Sequence, residues 1–320
     1  MIEISHLVKK YGNHVAVDDL SLTVESGKIY GFLGPNGAGK STTMNIITGY
    51  LGATSGEIKV NGYDIFKEPQ EAKKCIGYLP ELPPLYADMT VREYLDFTAE
   101  LKKLKKSMRK KCVEEVIETT GITDVSDRMI RNLSKGYRQR VGIAQALLGY
   151  PEIIILDEPT VGLDPKQIIE IRDLIKKLGE KHTVILSSHI LTEISAVCEH
   201  VFILSKGKLV ASDSTDNLLA LMSGAQEIEL TIRGNTEEAK ALLDAVEEIE
   251  KTQIMDGENL LRIYAKKGAD VREQVFMQMA EHHLPILEMH TVTKSLEDVF
   301  LEITQENSAG STNSQGGQEE

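Results

Sequence analysis

The pattern of apolar and polar residues before residue 226 predicts strands first and then strand–helix–strand units. The segments "EISHLVKKY" and "LSLTV" alternate apolar and polar residues, which is typical of strands with one exposed face. The runs "KIYGFL", "IIIL" and "HTVILSS" are almost wholly apolar, as expected of strands buried inside a sheet. Helical spacing occurs near 40–51, 90–120 and 165–178. This order predicts an α/β fold with a mainly parallel sheet, to which "GEIKVNGYDI" and "HVFILSKGKLVAS" add hairpins.

The pattern restarts near residue 226 with the order strand, helix, hairpin, helix, strand. The segments are "QEIELTI", "TEEAKALLDAVEEI", "TQIMDGENLLRIYA" with a turn at Asp256-Gly257, "DVREQVFMQMAEHH" and "LPILEMH". This βαββαβ order is the ferredoxin-like arrangement of small α+β domains. We therefore predict two domains, over 1–220 and 226–305, with a last helix near 295–304. The tail, 306–320, is low in complexity and is predicted to be disordered.

Composition restricts the partners of the chain. It carries 36 basic and 49 acidic residues, a net charge of −13, which argues against a nucleic-acid partner. The local basic run "LKKLKKSMRKK" is most simply a solvated helix face. Cys75, Cys112 and Cys198 have no metal-ligand spacing and suit a reducing compartment. We expect no signal peptide and no membrane span, since no apolar run reaches about 18 residues, so a membrane role would require a partner protein.

Nine residues between the strand "KIYGFL" and the following helix are poor in side chains. They read "GPNGAGKST" and span 34–42. The spacing Gly34-x-x-x-x-Gly39-Lys40-Ser41 predicts a phosphate-binding loop, because glycines let several backbone N–H groups point at phosphate oxygens at a helix N-terminus. Lys40 would reach the β- and γ-phosphates, and Ser41 would offer its hydroxyl to Mg²⁺. An ordinary glycine turn is the alternative.

Three polar residues follow two of the apolar strands. Asp157 comes directly after "IIIL" and is predicted to hold Mg²⁺, directly or through water. Glu158 is next, and because neighbouring side chains of a strand point apart, we expect it to face elsewhere and polarise a water for attack on the γ-phosphate. His189 follows "VILSS" and is predicted to contact the γ-phosphate, since parallel strands end at the same edge. A surface acidic pair and a structural histidine are the alternatives.

The stretch "LSKGYRQR" predicts a second anion site. Ser134 and Gly136 stand at the start of a helical run, where a hydroxyl and free backbone N–H groups favour an anion. The loop at 34–42 already binds the phosphates of one nucleotide in this prediction, so a second anion site would have no ligand within a single chain. It makes sense if it faces the nucleotide held by another copy.

With these motifs in this order, residues 1–215 resemble the ATP-binding subunit of an ABC transporter. "GPNGAGKST" is similar to the Walker A motif, "LSKGYRQR" to the signature, and "IIILDEPTVGLD" to Walker B followed by the D-loop, which ends at Asp164. The resemblance implies a P-loop NTPase core with an antiparallel β subdomain and a helical insert at about 85–150. It places His189 at the switch-histidine position, as a catalytic residue beside Glu158. The residues that it implies for ATP are Tyr11, which stacks on adenine, and Gly34, Pro35, Asn36, Gly37, Ala38, Gly39, Lys40, Ser41 and Thr42.

Two positions depart from the pattern of the family. "IGYLPE" places Glu81 where a glutamine is usual; its carboxylate can still bind metal or water, with Ser41 and Asp157, but when ionised it donates no hydrogen bond. The signature reads Leu-Ser-Lys-Gly-Tyr in place of the commoner Leu-Ser-Gly-Gly-Gln. The residues expected to meet the ATP of a second chain are Ser134, Lys135, Gly136 and Tyr137. Among them, the lysine adds positive charge near the γ-phosphate.

The resemblance implies a function as well as a fold. We expect an ATPase motor subunit that uses ATP and Mg²⁺, pairs head to tail with a second copy or a related subunit, and drives a separate integral membrane permease. The wording "YLPELPPLYADMT" and "SLEDVFLEIT" resembles the subgroup that works mostly in export. The expected location is cytoplasmic, on the inner face of the cell membrane through the permease. Two other functions stay open: a soluble ABC ATPase acting on DNA or ribosomes, and a small-molecule kinase, which would leave the signature unused.

Overall fold

The computed structural model describes residues 1–217, 227–255, 259–266 and 268–292. Contacts between residues divide the chain into two compact units, Met1–Thr215 and Asp216–Glu320. Within the described ranges, none of the helices combines the length and the apolar composition needed to cross a membrane.

The strands of the first unit form two sheets. In chain order they are β1 (Ile2–Tyr11), β2 (His14–Val24), β3 (Ile29–Leu33), β4 (Ser55–Val60), β5 (Tyr63–Asp64), β6 (Ile76–Leu79), β7 (Ile153–Leu156), β8 (Thr183–Ser188), β9 (His200–Ser205) and β10 (Lys208–Ser214). The smaller sheet is antiparallel, in the order β2-β1-β4-β5. The larger has the order β10-β9-β3-β8-β7-β6, and only its β9–β10 hairpin is antiparallel. This arrangement confirms the predicted parallel core with an antiparallel subdomain.

Seven described helices complete the first unit. They are α1 (Lys40–Ile47), α2 (Pro69–Lys74), α3 (Val91–Leu101), α4 (Lys106–Thr119), α5 (Lys135–Leu147), α6 (Pro165–Gly179) and α7 (Leu191–Ser195). Helices α3, α4 and α5 stand between β6 and β7 in the chain, within the predicted helical segment at about 85–150. The helix predicted near 40–51 is shorter than expected, because Gly49 adopts a φ of 66° and turns the chain away. Leu51 therefore packs against the core from outside the helix.

The parallel sheet brings the predicted motifs to one edge. Strands β3, β7 and β8 lie side by side, and every residue in them is buried. Leu33 pairs with Ser188, and Leu156 pairs with Leu186, so these strands end almost level. Burial of these apolar runs on both faces fixes the sheet, and the chain segments that follow β3, β7 and β8 meet where the core stops.

The second unit is a four-stranded antiparallel sheet with two helices. Its elements are β11 (Glu227–Ile232), α8 (Thr236–Asp244), β12 (Ile249–Ile254), β13 (Leu260–Ala265), α9 (Arg272–Glu281) and β14 (Ile286–Val292). The strand order is β12-β13-β11-β14. Its own apolar core includes Ile228, Leu243, Leu261 and Val275. The element order confirms the predicted βαββαβ pattern.

One helix of the second unit is shorter than the sequence predicts. The segment "TEEAKALLDAVEEI" is helical throughout in the prediction, but α8 ends at Asp244. Ile249 instead pairs with Ala265 in the sheet, so strand pairing overrides the helix propensity of the glutamates before it. The predicted turn at Asp256-Gly257, the last helix near 295–304 and the tail 306–320 lie outside the described residues.

Candidate nucleotide-binding site

A cavity of about 440 Å³ lies at the edge where the parallel strands end. Its lining residues are Tyr11, His14, Ala16, Asn36, Gly37, Ala38, Gly39, Lys40, Ser41, Thr42, Glu81, Glu158, Val161 and His189. The structure thus brings the glycine-rich loop together with the glutamate after β7 and the histidine after β8. These segments are far apart in the chain, so the shape of the cavity depends on the sheet.

Two positions of the glycine-rich loop have no room for a side chain larger than that of glycine. A Cβ at Gly34 would lie 2.2 Å from the carbonyl oxygen of Leu204, and one at Gly39 would lie 2.6 Å from that of Ala16. Gly39 also has a φ of 99°, in the left-handed region. Both contacts involve backbone atoms, which cannot move aside as a flexible side chain could. The loop therefore packs closely against neighbouring backbone, and this packing fixes its conformation next to the N-terminus of α1, where an anion can bind.

Lys40 places a buried positive charge at the centre of this loop. Its side chain is 5% exposed, and its Nζ donates to the carbonyl oxygens of Gly34, at 2.7 Å, and Pro35, at 3.3 Å. The Nζ also lies 3.5 Å from Glu158 Oε1. Helix α1 begins at this lysine and has no acidic residue in its first turn, so its partial positive charge adds to that of the ammonium. The arrangement attracts phosphate oxygens.

Ser41 and Asp157 form a pair of oxygen donors beside the loop. The Ser41 Oγ donates to Asp157 Oδ1 at 3.1 Å, and the aspartate is 2% exposed. A hydroxyl and a carboxylate at this distance suit Mg²⁺, which takes few protein ligands and completes its shell with phosphate oxygens and water. In the described part of the chain, no group of three or more His, Cys, Asp or Glu side chains could hold a metal. A magnesium ion that is also bound by phosphate oxygens fits the donor pair of Ser41 and Asp157.

Glu158 and its neighbour Asp157 do have separate partners, but not for the predicted reason. Strand β7 ends at Leu156, and Glu158 has a φ of 46°, so strand alternation no longer applies there. Glu158 Oε2 lies 3.1 Å from His189 Nδ1, and Glu158 is 7% exposed. The left-handed backbone turns the glutamate toward the loop and the histidine. Asp157 turns instead toward hydroxyl groups.

Two predicted residues lie at the open side of the cavity. Tyr11 ends β1 with 49% of its surface exposed, and the Lys9 ammonium lies 5.1 Å from the centre of its ring. An exposed ring at a cavity wall suits stacking on a base. Glu81, two residues after β6, is also exposed and lines the cavity.

The signature residues lie outside this cavity. Ser134 is the N-cap of α5, where its Oγ accepts from the N–H of Tyr137 at 3.4 Å, and it is exposed together with Lys135. The Tyr137 hydroxyl donates to Asp124 Oδ2 at 2.8 Å, so this side chain is already bonded within the helical insert. None of residues 134–137 lines the cavity.

The D-loop lies against the signature. Asp164 caps α6, where its Oδ1 accepts from the N–H of Gln167 at 2.9 Å. A Cβ at Gly136 would lie 2.6 Å from Gln167 Oε1, and one at Gly162 would lie 2.2 Å from Lys135 Nζ. The two motifs therefore form one surface, which meets the cavity of the same chain at Val161, the residue before Gly162.

Sequence reasoning missed several residues of the site. Ser187 is fully buried, and its Oγ donates to Asp157 Oδ1 at 2.6 Å. Glu193, also buried, accepts from the hydroxyls of Thr160 and Ser188. A signal for the serine was present, because two serines end the apolar run "TVILSS". The glutamate gave no such signal, since it stands in a short helix of ordinary composition.

The chain is similar to known proteins over most of its length. A family model described as ABC transporter matches residues 17–161. The bacitracin transport ATP-binding protein of Bacillus licheniformis is 36% identical over 95% of this chain and 97% of its own length. The linearmycin resistance ATP-binding protein of Bacillus subtilis (strain 168) is 33% identical over 95% of this chain and 98% of its own length.

Solved structures share the fold of the first unit. CbiO1 from Clostridium perfringens, part of the ABC transporter complex cbiONQ, has a TM-score of 0.63 and 28% identity, over 68% of this chain and 90% of its own. A dimeric ATP-binding cassette in a post-hydrolysis state, bound to ADP and Pi, has a TM-score of 0.61 and 27% identity, over 67% of this chain and 99% of its own.

Proposed function

This chain belongs to the ATP-binding proteins of ABC transporters and is an ATPase, and on that premise we propose that two copies pair head to tail and drive a separate membrane permease in the direction of export. One observation carries the pairing. The cavity that holds the phosphate-binding loop is not lined by residues 134–137, although these present a capped helix start and an exposed lysine. In a head-to-tail pair, the signature of one copy covers the nucleotide bound by the other.

In this proposal, the nucleotide phosphates bind at the start of α1. The Lys40 ammonium exchanges its two backbone carbonyl partners for β- and γ-phosphate oxygens, and the loop N–H groups surround them. Ser41 and Asp157 hold Mg²⁺, which when bound neutralises phosphate charge. Tyr11 stacks on the base at the open side of the cavity, and Glu81 binds metal or water there.

Glu158 acts on the attacking water. Its carboxylate is 7% exposed, lies 3.5 Å from Lys40 Nζ, and is held by His189 at 3.1 Å. A carboxylate so oriented can accept a proton from water as the γ-phosphate is attacked. His189 Nδ1 lies toward the glutamate, and its Nε2, when it carries a proton, can donate to a γ-phosphate oxygen.

We assign the permease to a second depression, here named the lateral groove. It has a volume of about 680 Å³, and its walls include Tyr50, Tyr78, Leu82 and Pro84. Tyr50 is 83% exposed and Leu82 is 82% exposed. Large exposed apolar side chains around a groove suit an amphipathic helix of a partner protein.

The lateral groove shares lining residues with the nucleotide-binding site. Ser41, Glu81 and Asp157 line the lateral groove, and each also belongs to the proposed metal site or to the wall of the nucleotide cavity. A permease helix seated there would contact the residues that hold Mg²⁺. Export is supported by relatives named for bacitracin transport and linearmycin resistance. The location that follows is the cytoplasmic face of the membrane, reached through the permease.

Mixing two inactive variants tests the head-to-tail pairing. Lys40→Ala removes phosphate binding, and Ser134→Arg blocks the approach of the signature to a second chain. In a mixed dimer, one site carries both defects and the other carries neither. ATPase activity should therefore return in the mixture, to roughly a quarter of wild type if chains pair at random and single intact sites turn over.

The matched control mixes Lys40→Ala with Glu158→Gln. Both substitutions lie on the cavity side, so each site of the mixed dimer keeps one defect and activity should not return. A Ser134→Arg chain that cannot bind ATP, or that hydrolyses ATP at the wild-type rate, would contradict the pairing and favour a single-chain enzyme.

A further inference from the structure

Ser187 is a buried polar residue that contacts the Asp157 carboxylate and the backbone of Glu158. It is the fifth residue of β8, whose residues are all buried, and its exposed fraction is 0%. Its Oγ donates to Asp157 Oδ1 at 2.6 Å and accepts from the backbone N–H of Glu158 at 2.8 Å. One side chain on β8 thus contacts both residues that follow β7.

A hydroxyl is suited to this double contact. It has one proton to donate and lone pairs to accept, so it can bind a carboxylate and an N–H group at once. Ser41 also contacts Asp157 Oδ1, but at the longer distance of 3.1 Å. In the proposed function Ser41 turns to Mg²⁺, which leaves the Ser187 hydroxyl to hold the aspartate.

The contact with Glu158 concerns its backbone. A φ of 46° is disfavoured for a residue with a Cβ, so it persists only where neighbouring groups hold it. Ser187 accepts from the N–H of this same residue. That backbone conformation is what turns the Glu158 carboxylate toward Lys40 and His189, at 3.5 and 3.1 Å.

We infer that Ser187 is a positioning residue for ATP hydrolysis, which orients Asp157 for Mg²⁺ and sets the backbone of Glu158 for its work on water. The inference rests on the proposed roles of these two acids. Ser187 does not line the nucleotide cavity, so it acts through the acids and not on the substrate. A serine that only satisfied its own buried hydroxyl would influence stability and leave the metal response unchanged.

Ser187→Ala is the variant that tests the inference. The half-saturating Mg²⁺ concentration for ATP binding should rise about tenfold, as expected when a partner of a metal ligand is removed. Binding of ATP without Mg²⁺ should stay within about twofold of wild type, since the loop is untouched, and kcat should fall about tenfold with little change in KM. Ser187→Thr keeps the hydroxyl and should restore most of both losses.

Ser126→Ala is the matched control. Ser126 is buried in the helical insert, where its hydroxyl donates to the Thr123 carbonyl at 3.0 Å, away from the cavity. It should lower stability without changing kcat or the Mg²⁺ response. If Ser187→Ala fails to fold, Ser187→Cys keeps the volume with a weaker hydrogen-bonding group and should show the same shifts in smaller degree.

The inference is overturned if Ser187→Ala, folded and binding ATP, matches Ser126→Ala in kcat and in Mg²⁺ response. It is also overturned if Ser187→Thr, when folded, restores neither. Failure of the proposed function would be seen elsewhere, in a wild-type chain without Mg²⁺-dependent ATPase activity or in a Glu158→Gln chain that turns over normally.

Discussion

At the scale of single residues, Glu158 carries the most specific expectation. Glu158→Gln keeps the size of the side chain but cannot accept a proton, so turnover should fall by roughly 10²–10⁴-fold while ATP binding persists. Phosphate release and nucleotide affinity measure the two effects. The long-lived ATP complex should also accumulate as a dimer in gel filtration. Glu152→Gln, on an exposed residue just before β7, should change neither rate nor affinity. A Glu158→Gln chain with near wild-type turnover would remove this residue as the base.

His200 should make the stability of the first unit depend on pH. Its ring lies 5.7 Å from that of Tyr30 and 5.2 Å from that of Phe202, and burial, assisted by Lys28, holds its pKa below the ordinary 6.5. As the pH falls below about 6.5, His200 therefore becomes protonated in the unfolded chain before it does so in the folded chain. The free energy of unfolding decreases over this interval, until the pH passes the lower pKa of the folded chain. Urea unfolding at about pH 7.5 and about pH 5.5 measures the loss. His200→Gln should lose less stability over this interval, and an equal loss would argue against the histidine.

The positions of site residues could be predicted from the sequence where the motif is a continuous segment of the chain. Gly39, Lys40 and Ser41 fall where their spacing predicts, because a phosphate loop depends on local backbone geometry. Strand alternation predicts the orientation of Glu158, but the reason is wrong, because a φ of 46° shows that this residue is no longer in a strand. Ser187 was not predicted, because its role exists only once β7 and β8 are paired. The spacing of residues along one strand does not predict which residues of a neighbouring strand they contact.

At the scale of elements, the start of α3 is set by a capping box. The Thr90 Oγ1 accepts from the N–H of Glu93, and the Glu93 carboxylate accepts from the N–H of Thr90. Thr90→Ala should lower the free energy of unfolding by about 1 kcal/mol, because the N–H of Glu93 loses its acceptor and the Glu93 carboxylate loses the hydrogen bond from the Thr90 hydroxyl. Thr90→Ser keeps the oxygen and should lose little. Equal stability of Thr90→Ala and wild type in urea would contradict the cap.

Element ends were harder to predict than element types. Helix α8 ends at Asp244, although good helix formers continue to Glu248, because Ile249 is drawn into pairing with Ala265. Helix α1 ends at Ile47, although Leu51 continues the apolar spacing. Strand pairing thus ends α8, whereas the left-handed backbone of Gly49 ends α1, so helix propensity and apolar spacing alone do not determine where a helix stops.

At the scale of the whole molecule, the described residues include an apolar cluster in each of the two units, and the two clusters are separate in sequence. Among the described residues, the cluster of the antiparallel and parallel sheets contains residues between 2 and 209, and the cluster of the second unit contains residues between 228 and 289. The contact division falls between Thr215 and Asp216, and the Thr215 hydroxyl donates to the Cys198 carbonyl at 2.6 Å, which ties the end of the first unit to its own interior. All residues that line the nucleotide cavity belong to the first unit.

A chain ended after Ser223 should therefore fold and bind ATP. The truncation keeps the Thr215 contact and removes β11 to β14 as a block, so no sheet of the first unit loses a strand. ATP affinity should stay within about twofold of that of the full chain. In thermal unfolding, ATP and Mg²⁺ should raise the melting temperature of the first unit in both chains. Any transition of the full chain whose temperature does not respond to ATP and Mg²⁺ should be missing from the truncated chain. Calorimetry of both chains with and without nucleotide measures this. A soluble fragment that no longer binds ATP would mean that the second unit helps to form the cavity. A fragment that binds ATP but no longer pairs in the Glu158→Gln background would assign the second unit to dimer formation, separately from nucleotide binding.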